Sequence, residues 1–255
     1  MTAKIVTVSA EEHKNLKIKT DVGISFSEKI HIIPVVVSEF ADVAANCPIV
    51  FIKEENSDRL RVAAMLGIEV EKNLFFEDGA WQGTHVPLNI GRVPFSFAPV
   101  GDGKTLGPAI DLNHHLVNEE EGTPLFDEKG EPTDYYKWVN SFLGNLFQGE
   151  MVTQKFSEAL AKYDLLREFH LQIEDEAGGK SELVGLFTPT ANLLQQLSDE
   201  AILELNKEGY LAAIHIAIQS MAQIKRLVQL NNKREGTNIR GINIKMIGDD
   251  KPIVQ

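Results

Sequence analysis

Residues 73–97 read N-L-F-F-E-D-G-A-W-Q-G-T-H-V-P-L-N-I-G-R-V-P-F-S-F, which concentrates aromatic, glycine and proline residues in one short stretch. Glu77-Asp78-Gly79 is typical of a tight turn, because an Asp side chain can bond its own backbone and Gly accepts positive φ. Phe75 and Phe76 precede that turn and Trp81 follows it. The stretch therefore predicts a hairpin whose aromatic side chains fold back over a shared core.

The same stretch contains the candidate ligand-binding residues. Arg92, which lies between two residues without polar side chains, is a candidate bidentate clamp for a carboxylate or phosphate. Trp81, Phe95 and Phe97 are candidates for a flat apolar wall beside it. His85 is a further candidate ligand-binding residue. The alternative is that the aromatic side chains fill the core and that Arg92 forms a salt bridge with Glu39 or Asp78.

Outward from this stretch, the first half of the chain has the pattern of a sheet. Short apolar or alternating segments between residues 4 and 112 predict strands joined by turns, one of them the glycine turn Gly101-Asp102-Gly103. Pro34 lies inside the apolar segment 30–37, so that segment is expected at a sheet edge. Ala177-Gly178-Gly179 predicts a later β-hairpin over residues 169–187.

Helical spacing dominates after Pro132. Apolar positions three and four residues apart predict two helices over 133–147 and 153–166, separated by Gly149, and a long amphipathic helix over 211–230. Ser198 is expected to cap a helix that ends near Lys207. Strands followed by helices favour an α+β fold: a mostly antiparallel, curved sheet covered by C-terminal helices. We expect one domain over residues 1–235 and a polar tail over 236–255 that includes a weak strand.

Composition excludes several classes of function. The chain has 25 Lys and Arg against 37 Asp and Glu, a net charge of -12, which argues against nucleic-acid partners and anionic membranes. The single cysteine, Cys47, excludes an intrachain disulfide and a zinc site built from cysteines. No segment has the roughly 20 apolar residues of a membrane span, and no signal peptide is recognisable. The expected compartment is the cytoplasm.

Metal and nucleotide motifs are incomplete. Asp111, His114 and His115 are the candidate ligands for a divalent metal, although adjacent histidines on a strand would point to opposite faces and only one would join Asp111. The alternative is a solvated acidic loop. The segment 101–105 resembles the end of a phosphate-binding loop, but Ala98 occupies a position that requires glycine. No cofactor is therefore predicted, and a divalent metal is kept as a possible ligand.

Several short motifs together resemble the SapC family, over residues from about 13 to 230. They are Glu39-Phe40, Pro48-Ile49-Val50-Phe51, Leu66-Gly67, Asn73-Leu74-Phe75, Gly79-Ala80-Trp81, Arg92-Val93-Pro94-Phe95, Gly122-Thr123-Pro124-Leu125-Phe126-Asp127, Gly185-Leu186 and Ser220. The chain departs from the family pattern at two positions: Val93 stands where a tyrosine is usual, and Gly91 stands where a second arginine is frequent.

The resemblance implies a bacterial protein named after a surface-layer locus, encoded near flavin-dependent halogenases, cupin-like oxygenases and outer-membrane receptors. The leading hypothesis is a noncatalytic accessory protein that binds a peptide, a small acid or a partner protein around Trp81 and Arg92. Its setting would be an envelope or uptake system, with a halogenase-linked system among the expected partners. The alternative is a metal-dependent, oxygenase-like or hydrolase-like enzyme that uses Asp111 with His85, His114 or His115.

Overall fold

The computed structural model describes residues 3–20, 24–54, 57, 59–100, 105–234 and 238–248. The strands are β1 Ile5–Thr7, β2 Lys17–Ile18, β3 Ile32–Pro34, β4 Ile49–Lys53, β5 Leu60–Met65, β6 Phe76–Glu77, β7 Ala80–Trp81, β8 Phe95–Val100, β9 Thr105–Asp111, β10 Val117–Asn118, β11 Thr123–Pro124, β12 Leu166–Asp175, β13 Lys180–Pro189 and β14 Ile239–Met246. The α-helices are α1 Ala10–His13, α2 Phe40–Ala44, α3 Leu88–Gly91, α4 Asp134–Lys162, α5 Ala191–Gln195, α6 Asp199–Lys207, α7 Tyr210–Ser220 and α8 Ile224–Lys233.

The chain divides into two compact units. Unit 1 consists of residues 1–25 and 88–148, and unit 2 consists of residues 26–87 and 149–255. The single domain predicted over residues 1–235 stays a prediction. The boundary at residues 87 and 88 cuts through the stretch with which the sequence analysis began.

Unit 1 contains two three-stranded sheets. In one, β9 is central between β1 and β8, and in the other β2 is central between β10 and β11. The strands β8 and β9 pair as expected, from Phe95 opposite Ile110 to Val100 opposite Thr105. The glycine turn predicted between them, like the incomplete phosphate loop, falls on residues 101–104, outside the described part of the chain. Leu125 and Phe126 are buried residues of this unit.

Unit 2 is built on a six-stranded sheet in the order β14-β12-β13-β4-β5-β3. All of its described strand pairs are antiparallel. The segment with Pro34 forms β3 at the sheet edge, where a missing backbone donor is tolerated, and the hairpin over 169–187 is present as β12 and β13. The weak strand expected in the tail is β14. The predicted α+β class is confirmed, although the strands are distributed over several antiparallel sheets.

One long helix replaces the two helices predicted over 133–147 and 153–166. The helix α4 has 29 residues and passes through Gly149 without a break. A side chain at Gly149 would lie 3.2 Å from Val36 Cγ2, so glycine is used there for close packing. The prediction was wrong because the low helix propensity of glycine suggested a break between two helices. The glycine at this position is instead explained by a tertiary contact.

The long helix predicted over 211–230 is interrupted. It consists of α7, a short 3-10 turn at Met221–Gln223, and α8. The apolar positions predicted to form the buried stripe of this helix are not all buried. Ile214 is fully buried, but Ile218 and Met221 are only half-buried and Ala222 is exposed, so the buried face is rotated relative to the prediction. The buried face of α7 is Tyr210, Ala213, Ile214, Ala217 and Ser220. This face packs against β4 and β13 of the sheet.

Candidate functional site

The hairpin predicted around Asp78 and Gly79 is present in unit 2. Strands β6 and β7 pair through Phe76 opposite Trp81, and both turn residues have positive φ, 50° for Asp78 and 79° for Gly79. Two consecutive positive φ values suit an Asp-Gly turn whose twist matches the paired strands. The local sequence is therefore sufficient to predict this turn.

Arginine 234 fixes the backbone that leads into this hairpin. Its guanidinium donates hydrogen bonds to the carbonyl oxygens of Asn73, Leu74 and Phe76, at 3.0, 2.8 and 2.9 Å. Its Nε also lies 3.6 Å from a carboxylate oxygen of Glu77. A rigid, planar set of donors suits three converging carbonyls better than a lysine would.

Trp81 is engaged within unit 2. Its ring stacks on Phe75 with centroids 5.7 Å apart, and its Nε1 donates to the carbonyl of His85 at 2.8 Å. The guanidinium of Arg226 lies 5.4 Å from the Phe75 ring, a cation–π distance. The stack on Phe75 agrees with the aromatic hairpin core that the sequence pattern predicted, and the indole N–H has its partner inside the protein.

His85 is paired with a buried carboxylate. His85 Nε2 lies 2.8 Å from Glu39 Oε2, and Glu39 is 3% exposed. The other oxygen of Glu39 accepts a hydrogen bond from the Val36 amide at 3.1 Å. Glu39, one of the two carboxylates offered as a partner for Arg92, thus holds His85. A buried carboxylate that keeps a hydrogen-bonded partner is expected, because an unpaired one would be costly.

Arg92 belongs to unit 1, with Phe95 and Phe97. Its Nε donates to Asn89 Oδ1 at 2.8 Å, and its Nη1 donates to the carbonyl of Phe95 at 3.3 Å. Trp81 and His85 belong to unit 2. The five predicted ligand-binding residues are therefore divided between the units, and their shared role in binding stays a prediction.

The proposed metal ligands lie at the end of β9, whose last residue is Asp111, and in the turn after it, which contains His114 and His115. Asp111 Oδ1 accepts hydrogen bonds from the amides of Lys4 and Asn113, at 2.8 and 3.1 Å. The rings of His114 and His115 lie 4.5 Å apart, so the expectation that they point to opposite faces of a strand was wrong. Across the described part of the chain, no group of three or more His, Cys, Asp or Glu side chains is arranged to hold a metal ion.

Histidine 114 and Cys47 both prefer their neutral forms. Burial, with a smaller contribution from the neighbouring His115, lowers the pKa of His114, although Asp111 acts in the opposite direction. Burial raises the pKa of the Cys47 thiol to about 12, although the Arg226 guanidinium lowers it. Arg226 belongs to α8, and its effect on the thiol is smaller than that of desolvation. A buried neutral thiol is a poor nucleophile.

Three aromatic rings form a surface that the sequence analysis did not identify. Tyr135 and Trp138 have ring centroids 6.2 Å apart with planes 24° from parallel, and Trp138 and Phe142 have centroids 5.4 Å apart at 25°. Trp138 is 57% exposed. We call Tyr135, Trp138 and Phe142 the aromatic surface of unit 1.

The aromatic surface adjoins part of the predicted site. The ring of Phe95 lies 6.5 Å from that of Tyr135, and Phe97 lies 5.6 Å from Phe147 farther along α4. Burial raises the pKa of Tyr135 to about 12, so its hydroxyl stays protonated at neutral pH. A signal for this surface was present in the sequence: residues 135, 138 and 142 follow the spacing of one helix face, next to the buried face of Tyr136, Val139 and Leu143.

The comparisons with known proteins identify a family. No helix in the described residues combines the length and hydropathy that crossing a bilayer requires. No curated protein and no solved structure matches the chain. The family model of SapC matches residues 8–227, which is most of the 255 residues and agrees with the span over which the motifs resemble that family. The chain belongs to the SapC family.

Proposed function

We propose that this SapC-family chain is a noncatalytic accessory protein that binds an extended segment of a partner protein on the aromatic surface of unit 1. The observation that carries the proposal is the exposure of Trp138, at 57%, between two further rings. Large exposed side chains are normally scattered singly on a protein surface, whereas stacked aromatic rings are typical of interfaces. Tryptophan and tyrosine are also among the residues that contribute most to binding when they are buried by a partner.

A peptide segment fits this surface better than a small acid does. The net charge of -12 opposes the approach of an anion. Arg92, the cation that would hold an acid, already donates to Asn89 and to the Phe95 carbonyl. Aromatic surfaces accommodate prolines and apolar side chains of extended segments, and exposed rings also attract lysine and arginine. The expected partner segment is therefore uncharged or basic, and rich in apolar residues.

Selection from a displayed peptide library tests the proposal. Peptides selected on the wild-type protein should share apolar, proline or basic residues, and Trp138→Ala should weaken their binding at least about thirtyfold, the loss expected for an interface residue worth 2 kcal/mol. The matched control is Leu203→Ala, because Leu203 is a helical apolar residue of unit 2 that is 52% exposed. That control should bind as the wild type does.

Two outcomes contradict the proposal. Selected peptides that bind Trp138→Ala as tightly as the wild type would show that the ligand lies elsewhere. The metal-dependent alternative would be supported if purified protein contained stoichiometric iron, zinc or manganese by elemental analysis. Circular dichroism of Trp138→Ala distinguishes loss of the surface from loss of the fold.

A further inference from the structure

A cleft of about 490 Å³ opens on unit 1, apart from the aromatic surface. Its walls are Lys14, Asn15, Lys17, Glu119, Pro124, Phe126, Asp127 and Glu128. Ligand pockets in proteins commonly have volumes of roughly 300 to 1,000 Å³. The wall residues include Lys17 of β2, the central strand of its three-stranded sheet, and acidic residues that follow β10 and β11.

Two lysines among the wall residues, Lys14 and Lys17, bring ammonium groups to the cleft. Lys14 Nζ donates to the carbonyl of Glu128 at 2.7 Å, and Lys17 Nζ donates to the carbonyl of Glu120 at 2.9 Å. Both acceptors are neutral backbone oxygens, so these bonds position the lysines and leave their positive charges in place. An ammonium has three donors, and further acceptors can be taken from a ligand.

Carboxylates and two apolar residues complete the walls. Glu119, Asp127 and Glu128 bring negative charge to the cleft. Asp127 is fixed by the amides of Lys129 and Glu131, each 2.9 Å from its Oδ1. The apolar residues are Phe126, a buried ring that packs against Tyr136 with centroids 5.2 Å apart, and Pro124, which is exposed.

We propose that this cleft binds a small zwitterion of the α-amino-acid class. The ligand carboxylate would be held by Lys14 and Lys17, its ammonium by the carboxylates of Glu119 and Asp127, and an apolar side chain would contact Phe126. A simple anion is opposed by the acidic wall and a simple cation by the lysines. A ligand that carries both charges can pair with the lysines and with the carboxylates at once, which is the specificity that charges of opposite sign produce.

Binding of L-leucine and two analogues tests this inference. L-leucine should bind with a Kd on the order of 1 mM or lower, measured by calorimetry and saturation-transfer NMR. N-acetyl-leucine lacks the ammonium and 3-methylbutylamine lacks the carboxylate, and each should bind at least about tenfold more weakly, a difference of about 1.4 kcal/mol. Other apolar amino acids should replace leucine, whereas equal binding of leucine and the two analogues would overturn the inference.

Exposed lysines provide matched variants. Lys14→Ala and Lys17→Ala should each weaken leucine binding about tenfold or more, because each removes a charged partner of the carboxylate. Lys129→Ala, at an exposed lysine outside the cleft walls, should bind as the wild type does. Trp138→Ala should also leave leucine binding unchanged, because Trp138 is not among the cleft walls. Failure of the proposed function can therefore be distinguished from failure of this inference. If no proteinogenic amino acid binds at about 10 mM, or if both cleft variants bind as the wild type does, the inference is wrong.

Discussion

Replacing Ser220 by alanine should destabilise unit 2, because the Ser220 hydroxyl links α7 to the six-stranded sheet. Ser220 is 2% exposed, and its Oγ accepts the Ile49 amide at 2.8 Å while it donates to the Ala217 carbonyl at 2.7 Å. Ile49 is fully buried, so Ser220→Ala leaves an N–H without an acceptor. Such a loss costs about 1–3 kcal/mol, offset by about 0.5 kcal/mol from the better helix propensity of alanine.

The net expectation is a loss of about 0.5–2.5 kcal/mol in the free energy of unfolding. In a chain of this size that lowers Tm by about 1–10 °C, and urea denaturation should show a lower midpoint with an unchanged slope. Ser157→Ala is the matched control, since Ser157 is a half-buried helical serine of the same unit. If Ser220→Ala and Ser157→Ala have melting temperatures within about 1 °C of each other, the hydroxyl does not link the helix to the sheet as described.

Two further predictions concern side chains of unit 1. Burial keeps the folded pKa of His114 below its ordinary value of 6.5, so the unfolded chain binds protons first as the pH falls. Stability that is present above pH 6.5 should therefore be lost as the pH falls through the folded pKa. In thermal melts at a series of pH values, His114→Gln should make this loss of stability less steep. His215→Gln is the control, because His215 is exposed. Arg92→Ala should lower stability by about 1–3 kcal/mol because it removes the hydrogen bonds to Asn89 and the Phe95 carbonyl, and unchanged chemical denaturation would contradict that anchoring role.

The elements that the sequence predicted are those determined by neighbouring residues. The turn at Asp78 and Gly79, the cap at Ser198 and the hairpin of β12 and β13 each depend on a few adjacent side chains. Their geometry follows from backbone preferences and local hydrogen bonds.

Elements that depend on distant residues were not predictable in this way. Strand β1 pairs with β9, roughly a hundred residues later, so the division of the strands into several sheets cannot be read from local patterns. Gly149 is explained by Val36, and the buried face of α7 depends on packing against α2, α6, β4 and β13.

The candidate site shows the same limit. Trp81 and Arg92 were grouped because they are close along the chain, but the boundary between the units falls between them. Trp138 was not among the residues selected from the sequence. Its exposure, beside Tyr135 and Phe142, is what distinguishes a surface from a core position.

Fluorescence of Trp138 tests the central claim most directly. The chain has two tryptophans, so Trp81→Phe leaves Trp138 as the only indole. Titration of this variant with a selected peptide should shift the emission to shorter wavelength and reduce quenching by acrylamide, with the same Kd as calorimetry gives for the wild type, because the partner covers an exposed ring. Peptide binding without any change in Trp138 emission would contradict the claim. A fluorescence response that is present in the wild type and absent from Trp81→Phe would instead place the ligand at Trp81.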